Sequence, residues 1–122
     1  MKILIVDDST VVRTVVSQAL RMANFNDLLE AADGLQALEI AKKEKNSIGL
    51  YVLDVNMPNL DGISLVGELR ALGTKAPVIM LTTETDKTKM ARAKELGAAG
   101  WIVKPFEAEK FIGVVRLLTK QV

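Results

Sequence analysis

The chain has no cysteine and no histidine among its 122 residues. Without cysteine there is no disulfide framework, no thiol nucleophile and no zinc–thiolate centre. Without histidine, Ser-His-Asp catalysis, imidazole metal ligation and a phosphohistidine carried by this chain are all excluded. Reactivity is left to carboxylates, hydroxyls, amines and the main chain, and hard cations are the metals that suit such groups. Eight glycines and three prolines are too few for a collagen-like or linker-like chain. Long apolar runs are also missing: Ile3-Leu4-Ile5-Val6 runs straight into Asp7-Asp8. A signal peptide needs about 7–15 apolar residues there and a membrane span about 20, so the expectation is a cytoplasmic protein.

Hydrophobic residues make up 49% of the sequence, and 16 basic against 15 acidic side chains leave a net charge of +1. That composition excludes disorder. At roughly 150 residues per domain, the length predicts one domain spanning 1–122. There is no internal repeat, linker or low-complexity segment.

Short β-branched runs alternate with longer helical ones. The strands predicted are Lys2–Val6, Leu28–Ala31, Leu50–Leu53, Pro77–Leu81 and Trp101–Val103. Ile3–Val6, Tyr51–Leu53 and Val78–Leu81 are continuously apolar, as parallel strands covered on both faces should be. Helical periodicity places Val12, Val15, Val16 and Ala19 on one face of a first helix capped by Ser9 or Asp8. Leu35, Leu38 and Ala41 mark a second helix, entered through Asp33-Gly34. Ile63, Val66 and Leu69 mark a third, closed by Gly73. A weakly apolar fourth runs around Lys87–Leu96 to Gly97, and Phe111, Val114, Val115 and Leu118 mark the fifth. Five β–α units imply an α/β fold, a doubly wound five-stranded parallel sheet with helices on both faces and right-handed crossovers.

In such a sheet ligands bind beyond the carboxyl ends of the strands, where strand order reverses. The predicted strands end in Asp7-Asp8 (first), Asp54 (third), Thr82-Thr83 (fourth) and Lys104-Pro105 (fifth). Three carboxylates, a hydroxyl and an ammonium converge on one edge. Clustered carboxylates repel unless a proton or a cation intervenes, and an all-oxygen donor set with few ligands suits Mg²⁺. Simpler roles exist for each residue: Asp7-Asp8 as a helix cap, Thr82 as a turn residue, Lys104 as a solvated amine. A carboxylate following Val52-Leu53 on a central strand is costly unless paired, and capping does not account for Asp54. Neither GxGxxG nor a P-loop follows the first strand, which disfavours nucleotide binding. Carboxylate-held Mg²⁺ beside a lysine suggests phosphoryl transfer to a carboxylate.

Asp7-Asp8, the run Leu53-Asp54-Val55-Asn56-Met57-Pro58-Asn59-Leu60-Asp61-Gly62, Thr82 and Lys104-Pro105-Phe106 resemble a response-regulator receiver domain, above all its single-domain chemotaxis members. The likeness covers essentially the whole chain. It implies strand order 2-1-3-4-5 and a cis Lys104-Pro105 bond. It implies Asp54 as phosphoacceptor, charged by a partner histidine kinase. Asp7, Asp8, Asp54 and the backbone carbonyl of Asn56 would then hold Mg²⁺, Thr82 would be the switch hydroxyl, and Lys104 the amine that pairs with the phosphoryl group. Trp101 falls at the aromatic switch position, where Tyr or Phe is usual; taken alone, a single Trp there reads as packing.

Residues 1–86 hold 8 basic and 12 acidic side chains, whereas 87–122 hold 8 and 3. Lys87, Lys89, Arg92 and Lys94 crowd the fourth helix, either as a solvated face or, as the likeness implies, as part of an output surface with the fifth strand and fifth helix. With few aromatics and no strong overall basicity, the chain does not read as nucleic-acid binding. Asn56 and Glu84 match the pattern of the chemotaxis members and favour a short-lived signal.

The reading is a stand-alone regulator, not an enzyme with a separate substrate. It would signal as a monomer through contact with an output partner such as a flagellar motor switch protein, since a receiver of this length leaves no room for an output domain. A same-fold alternative is a phosphorelay intermediate. An alternative of another class is a Mg²⁺-dependent phosphohydrolase of the haloacid-dehalogenase type, but its DxDx motif follows the first strand, whereas here the best nucleophile ends the third.

Overall fold

The computed structural model describes residues 1–120. Five β–α units follow one another: β1 Lys2–Val6, α1 Thr10–Met22, β2 Leu28–Ala31, α2 Gly34–Glu44, β3 Ile48–Leu53, α3 Gly62–Ala71, β4 Val78–Thr82, α4 Lys87–Glu95, β5 Gly100–Val103 and α5 Ala108–Thr119. The strands form one parallel sheet in the order β2-β1-β3-β4-β5. The order reverses between β1 and β3, which are neighbours.

Successive strand residues point to opposite faces, and both faces are covered. On one, Leu4, Val6, Tyr51, Leu53, Val78 and Met80 pack against Ala37 and Ala41 of α2, Leu65, Val66 and Leu69 of α3, and Ala93 of α4. On the other, Ile3, Ile5, Leu50, Val52, Ile79 and Leu81 meet Val16 and Leu20 of α1 and Phe111, Ile112 and Val115 of α5. This double covering is why the central strands are apolar without alternation. Among the described residues no helix is long and apolar enough to cross a membrane.

Several expectations shift, among them β5, which begins at Gly100 rather than Trp101, and β4, which ends at Thr82 rather than Leu81. β3 begins at Ile48 rather than Leu50, because Lys2 pairs with Ile48 and Ile3 with Leu50, leaving Gly49 as an extra residue in a bulge. β4 starts after Pro77, which has no N–H for the ladder but accepts from Tyr51 N–H through its carbonyl (3.0 Å). Val15 and Leu35, both assigned to inward faces, are 47% and 51% exposed; the buried stripe of α1 runs through Val16 and Leu20 instead. Ser9 is the cap of α1, its hydroxyl accepting from Val12 N–H at 3.2 Å. Gly73, which closes α3, has φ +92°, a conformation glycine adopts without strain. As the sequence suggested, α4 buries little, with Ala93 its one buried residue.

Candidate functional site

The register of β1 against β3 builds the site. Val6 pairs with Leu53, so Asp7 and Asp54 each stand one residue beyond that pair on adjacent strands. Asp54 N–H still bonds Val6 carbonyl (3.0 Å), and Asp7 N–H bonds Ala31 carbonyl (3.2 Å). Both carboxylates are thus carried on fixed main chain at the edge of the core, 3% and 7% exposed, while Asp8 is open to solvent. Carboxylate oxygens of Asp7, Asp8 and Asp54 lie within 4.8 Å of one another.

Lys104 closes the cluster from 97 residues away in sequence. Its N–H bonds the carbonyl of Thr82 (2.8 Å), anchoring it just past β5, and the Lys104-Pro105 bond that follows is cis. Its Nζ lies 3.0 Å from Asp7 Oδ2 and 3.4 Å from Asp54 Oδ2. Burial pushes the Asp7 carboxyl above its ordinary value, against the opposing pull of Ser9 N–H and the Lys104 ammonium. Burial also works against the Lys104 charge, but the bond to Asp7 and the charges of Asp54 and Asp7 outweigh it and hold the ammonium above the ordinary lysine value. One ammonium against three carboxylates leaves surplus negative charge. The donor set is all oxygen, and no hydrogen bond occupies the Asp8 carboxylate among the described residues, so the cluster fits a hard divalent cation such as Mg²⁺.

The remaining predicted residues stand around this cluster. Asn56 is exposed, its N–H 3.4 Å from Asp54 Oδ1. Thr82 is fully buried at the end of β4; its hydroxyl accepts from Glu84 N–H (3.1 Å) and shares no hydrogen bond with the carboxylates among the described residues. Trp101 is half-buried, and its Nε1 donates to the Glu84 carbonyl (3.1 Å). The Glu84 carboxylate in turn pairs with Lys89 (2.8 Å), and that bond holds its carboxyl below the usual carboxylate range. Thr82, Glu84, Trp101 and Lys89 therefore form a second group beside the first, joined to it through the Thr82 carbonyl and Lys104 N–H.

Two contributors escaped sequence reasoning. Gly62 brings α3 so close to β3 that a β-carbon there would lie 2.0 Å from the Asp54 carbonyl oxygen; the glycine after the capping Asp61 was the available hint. Arg13 donates from Nη1 to the main-chain carbonyl of Asp7 and from Nε to Glu30 (3.1 Å). Its only trace in the sequence is a cation close to the start of α1, where the helix dipole favours anions.

A doubly wound parallel sheet with its acidic cluster at the switch in strand order defines a ligand-binding α/β domain of the flavodoxin-like type. The chain belongs to the response regulator receiver domain family, which it matches over residues 3–116. It is 43% identical over 110 residues to chemotaxis protein CheY-3 of Vibrio cholerae, covering 88% of this chain and 83% of that one. The solved structure of Vibrio cholerae chemotaxis protein CheY4 superposes with a TM-score of 0.86 at 38% identity, over 96% of this chain and 97% of that one. The CheX-CheY-BeF3-Mg+2 complex from Borrelia burgdorferi contains a chain that matches with a TM-score of 0.91 at 30% identity, over 96% and 87%.

Proposed function

We propose that this chain is a stand-alone phosphorylation switch of a chemotaxis system. The observation that carries the proposal is the ammonium of Lys104 set between Asp7 and Asp54, 3.4 Å from the carboxylate that ends the central strand. In this reading an Asp54 oxygen attacks the phosphorus of a phosphohistidine on a partner kinase. The new P–O bond forms as the P–N bond breaks, and its electron pair leaves with the imidazole. Phosphoryl transfer asks a protein for positioning and charge neutralisation more than for covalent help. Asp7, Asp8, Asp54 and the carbonyl of Asn56 are the residues to hold Mg²⁺, which when bound offsets the charge gathered between Asp54 and the phosphoryl oxygens. Lys104 turns from Asp54 to the new phosphoryl group, and the Thr82 hydroxyl moves from Glu84 N–H to a phosphoryl oxygen. Movement of Thr82 then reaches Trp101 through Glu84, to which both are bonded.

The two Vibrio cholerae relatives are chemotaxis proteins, which supports that setting over a phosphorelay. Output is then by contact of the α4–β5–α5 face with a partner such as a flagellar motor switch protein, in the cytoplasm, from a monomer in which 1–122 is a single receiver.

Incubation with acetyl phosphate and Mg²⁺, read by intact mass, tests the chemistry. One added phosphoryl group is expected, absent with EDTA and in Asp54→Asn. Labelling that persists in Asp54→Asn overturns the mechanism. Phosphorylation-dependent binding to a phosphotransfer domain, with none to a motor switch protein, overturns the chemotaxis role.

A further inference from the structure

Arg13 is placed against electrostatic expectation. It follows the first residues of α1, where the helix dipole is positive, and that first turn carries no acidic side chain to balance it. It stands beside three carboxylates yet forms its ion pair with none of them: Nε bonds Glu30 of β2 (3.1 Å), Nη2 bonds the Thr10 hydroxyl (3.3 Å), and Nη1 bonds the Asp7 carbonyl. The side chain is only 15% exposed. The guanidinium therefore ties three places together: the end of β1, the start of α1 and the edge strand β2.

The carbonyl it grips belongs to the peptide unit that joins Asp7 to Asp8. The Asp7 carboxylate has anchors of its own in Ser9 N–H (2.9 Å) and Lys104 (3.0 Å). The Asp8 carboxylate has none among the described residues; what is held is the main chain that carries it, gripped on its amino side at the Asp7 carbonyl. We infer that Arg13 is a positioning residue for the divalent cation: it holds the Asp7-Asp8 peptide so that both carboxylates face one ion, while Glu30 offsets its charge and spares the ion a repulsive neighbour. This inference rests on the reading that Mg²⁺ binds Asp7, Asp8 and Asp54.

Positioning and plain electrostatics predict opposite signs. A guanidinium acting only as a nearby charge repels Mg²⁺, so its removal would tighten binding. A guanidinium that sets ligand geometry is missed, as partners behind metal ligands are, typically by 10–100-fold in affinity. Mg²⁺ is titrated calorimetrically into the parent, Arg13→Met and Glu30→Gln, each first shown folded by thermal unfolding in EDTA. The Mg²⁺ Kd is expected to rise about tenfold in Arg13→Met, with the acetyl phosphate labelling rate back within about twofold of the parent once Mg²⁺ saturates. Glu30→Gln should weaken binding less, by an amount that shrinks in high salt. Unchanged or tighter binding by Arg13→Met, or a rate deficit that persists at saturation, overturns the inference. If Arg13→Met does not fold, Arg13→Lys keeps the charge but gathers its donors on one nitrogen and loses the fork, and should weaken Mg²⁺ about threefold; unchanged affinity there overturns it equally. A parent that takes up no Mg²⁺ removes the metal reading itself, a result distinct from a parent that binds and a variant that matches it.

Discussion

The two edges of the sheet are built from the same strands and treat charge in opposite ways. At the amino-terminal edge, Lys2 pairs with Glu44, and the Lys45 ammonium bonds the carbonyl of Leu72 at the end of α3 (2.9 Å). Both of these cations have a partner and remain partly or fully exposed. At the carboxyl-terminal edge, Asp7 and Asp54 share a single ammonium and are buried, while the Asp8 carboxylate beside them has no partner among the described residues. The first arrangement closes the fold, whereas the second holds unbalanced charge ready for something from outside. Stability and function are thus separated by about the length of a five-residue strand, roughly 17 Å.

The largest effect expected from testing that contrast is at Lys104. Lys104→Met leaves the carboxylates uncompensated and, on the proposed mechanism, removes the cation aimed at the developing charge, so acetyl phosphate labelling should slow by about 10²–10³-fold. Mass spectrometry against time checks this, and a rate equal to the parent's would break the contrast.

Gly62→Ala comes next. Its β-carbon would collide with the Asp54 carbonyl, and overpacking of that kind costs about 1–3 kcal/mol. Chemical denaturation should show the loss together with slower labelling, since the displaced residue is Asp54 itself.

Asp7→Asn sharpens the contrast through pH. Burial raises the folded-state pKa of Asp7 above its ordinary 3.8, so the ionised form is penalised in the fold. The folded state then binds more protons than the unfolded one across that window, and stability falls as pH rises through it. Without metal, Asp7→Asn should unfold a few degrees higher than the parent at neutral pH. The advantage should fade as pH drops toward 3.8 and be gone below it, and thermal unfolding across pH reads it. An Asn variant less stable than the parent in EDTA at neutral pH would show that the acidic edge carries no such burden.

The smallest effect is at the opposite edge. Lys2→Met removes half of a part-exposed ion pair and should change stability by no more than about 1 kcal/mol, with labelling unaltered. A large loss there would mean that both edges depend on their charges equally.

Much of this architecture is legible along the chain because the physics that produces it is local and periodic. The runs Ile3–Val6 and Tyr51–Leu53 carry no charged residue because both their faces are covered, and a carboxylate directly after such a run announces the strand end. The caps at Ser9, Asp33 and Asp61 act within three residues. The misreadings arise where a decision is not local. Val15 and Leu35 fit a helical apolar stripe yet face solvent, because which arc of a helix is covered depends on how it lies on the sheet. The bulge at Gly49 comes from pairing with Lys2 and Ile3, nearly fifty residues away.

Sequence alone determined the identity of the chemically competent groups: it excluded thiol and imidazole, set carboxylates at the ends of the first and third strands, and put an amine at the end of the fifth. Periodicity and strand length suffice for that. Tertiary structure alone decided their geometry. The pairing of β1 with β3 brings Asp7 and Asp54 side by side, and the path of β5 past Thr82 carries Lys104 between them. Spacing along a chain constrains residues within a few turns or one strand, and these contacts join residues tens of positions apart through the strand order of the sheet.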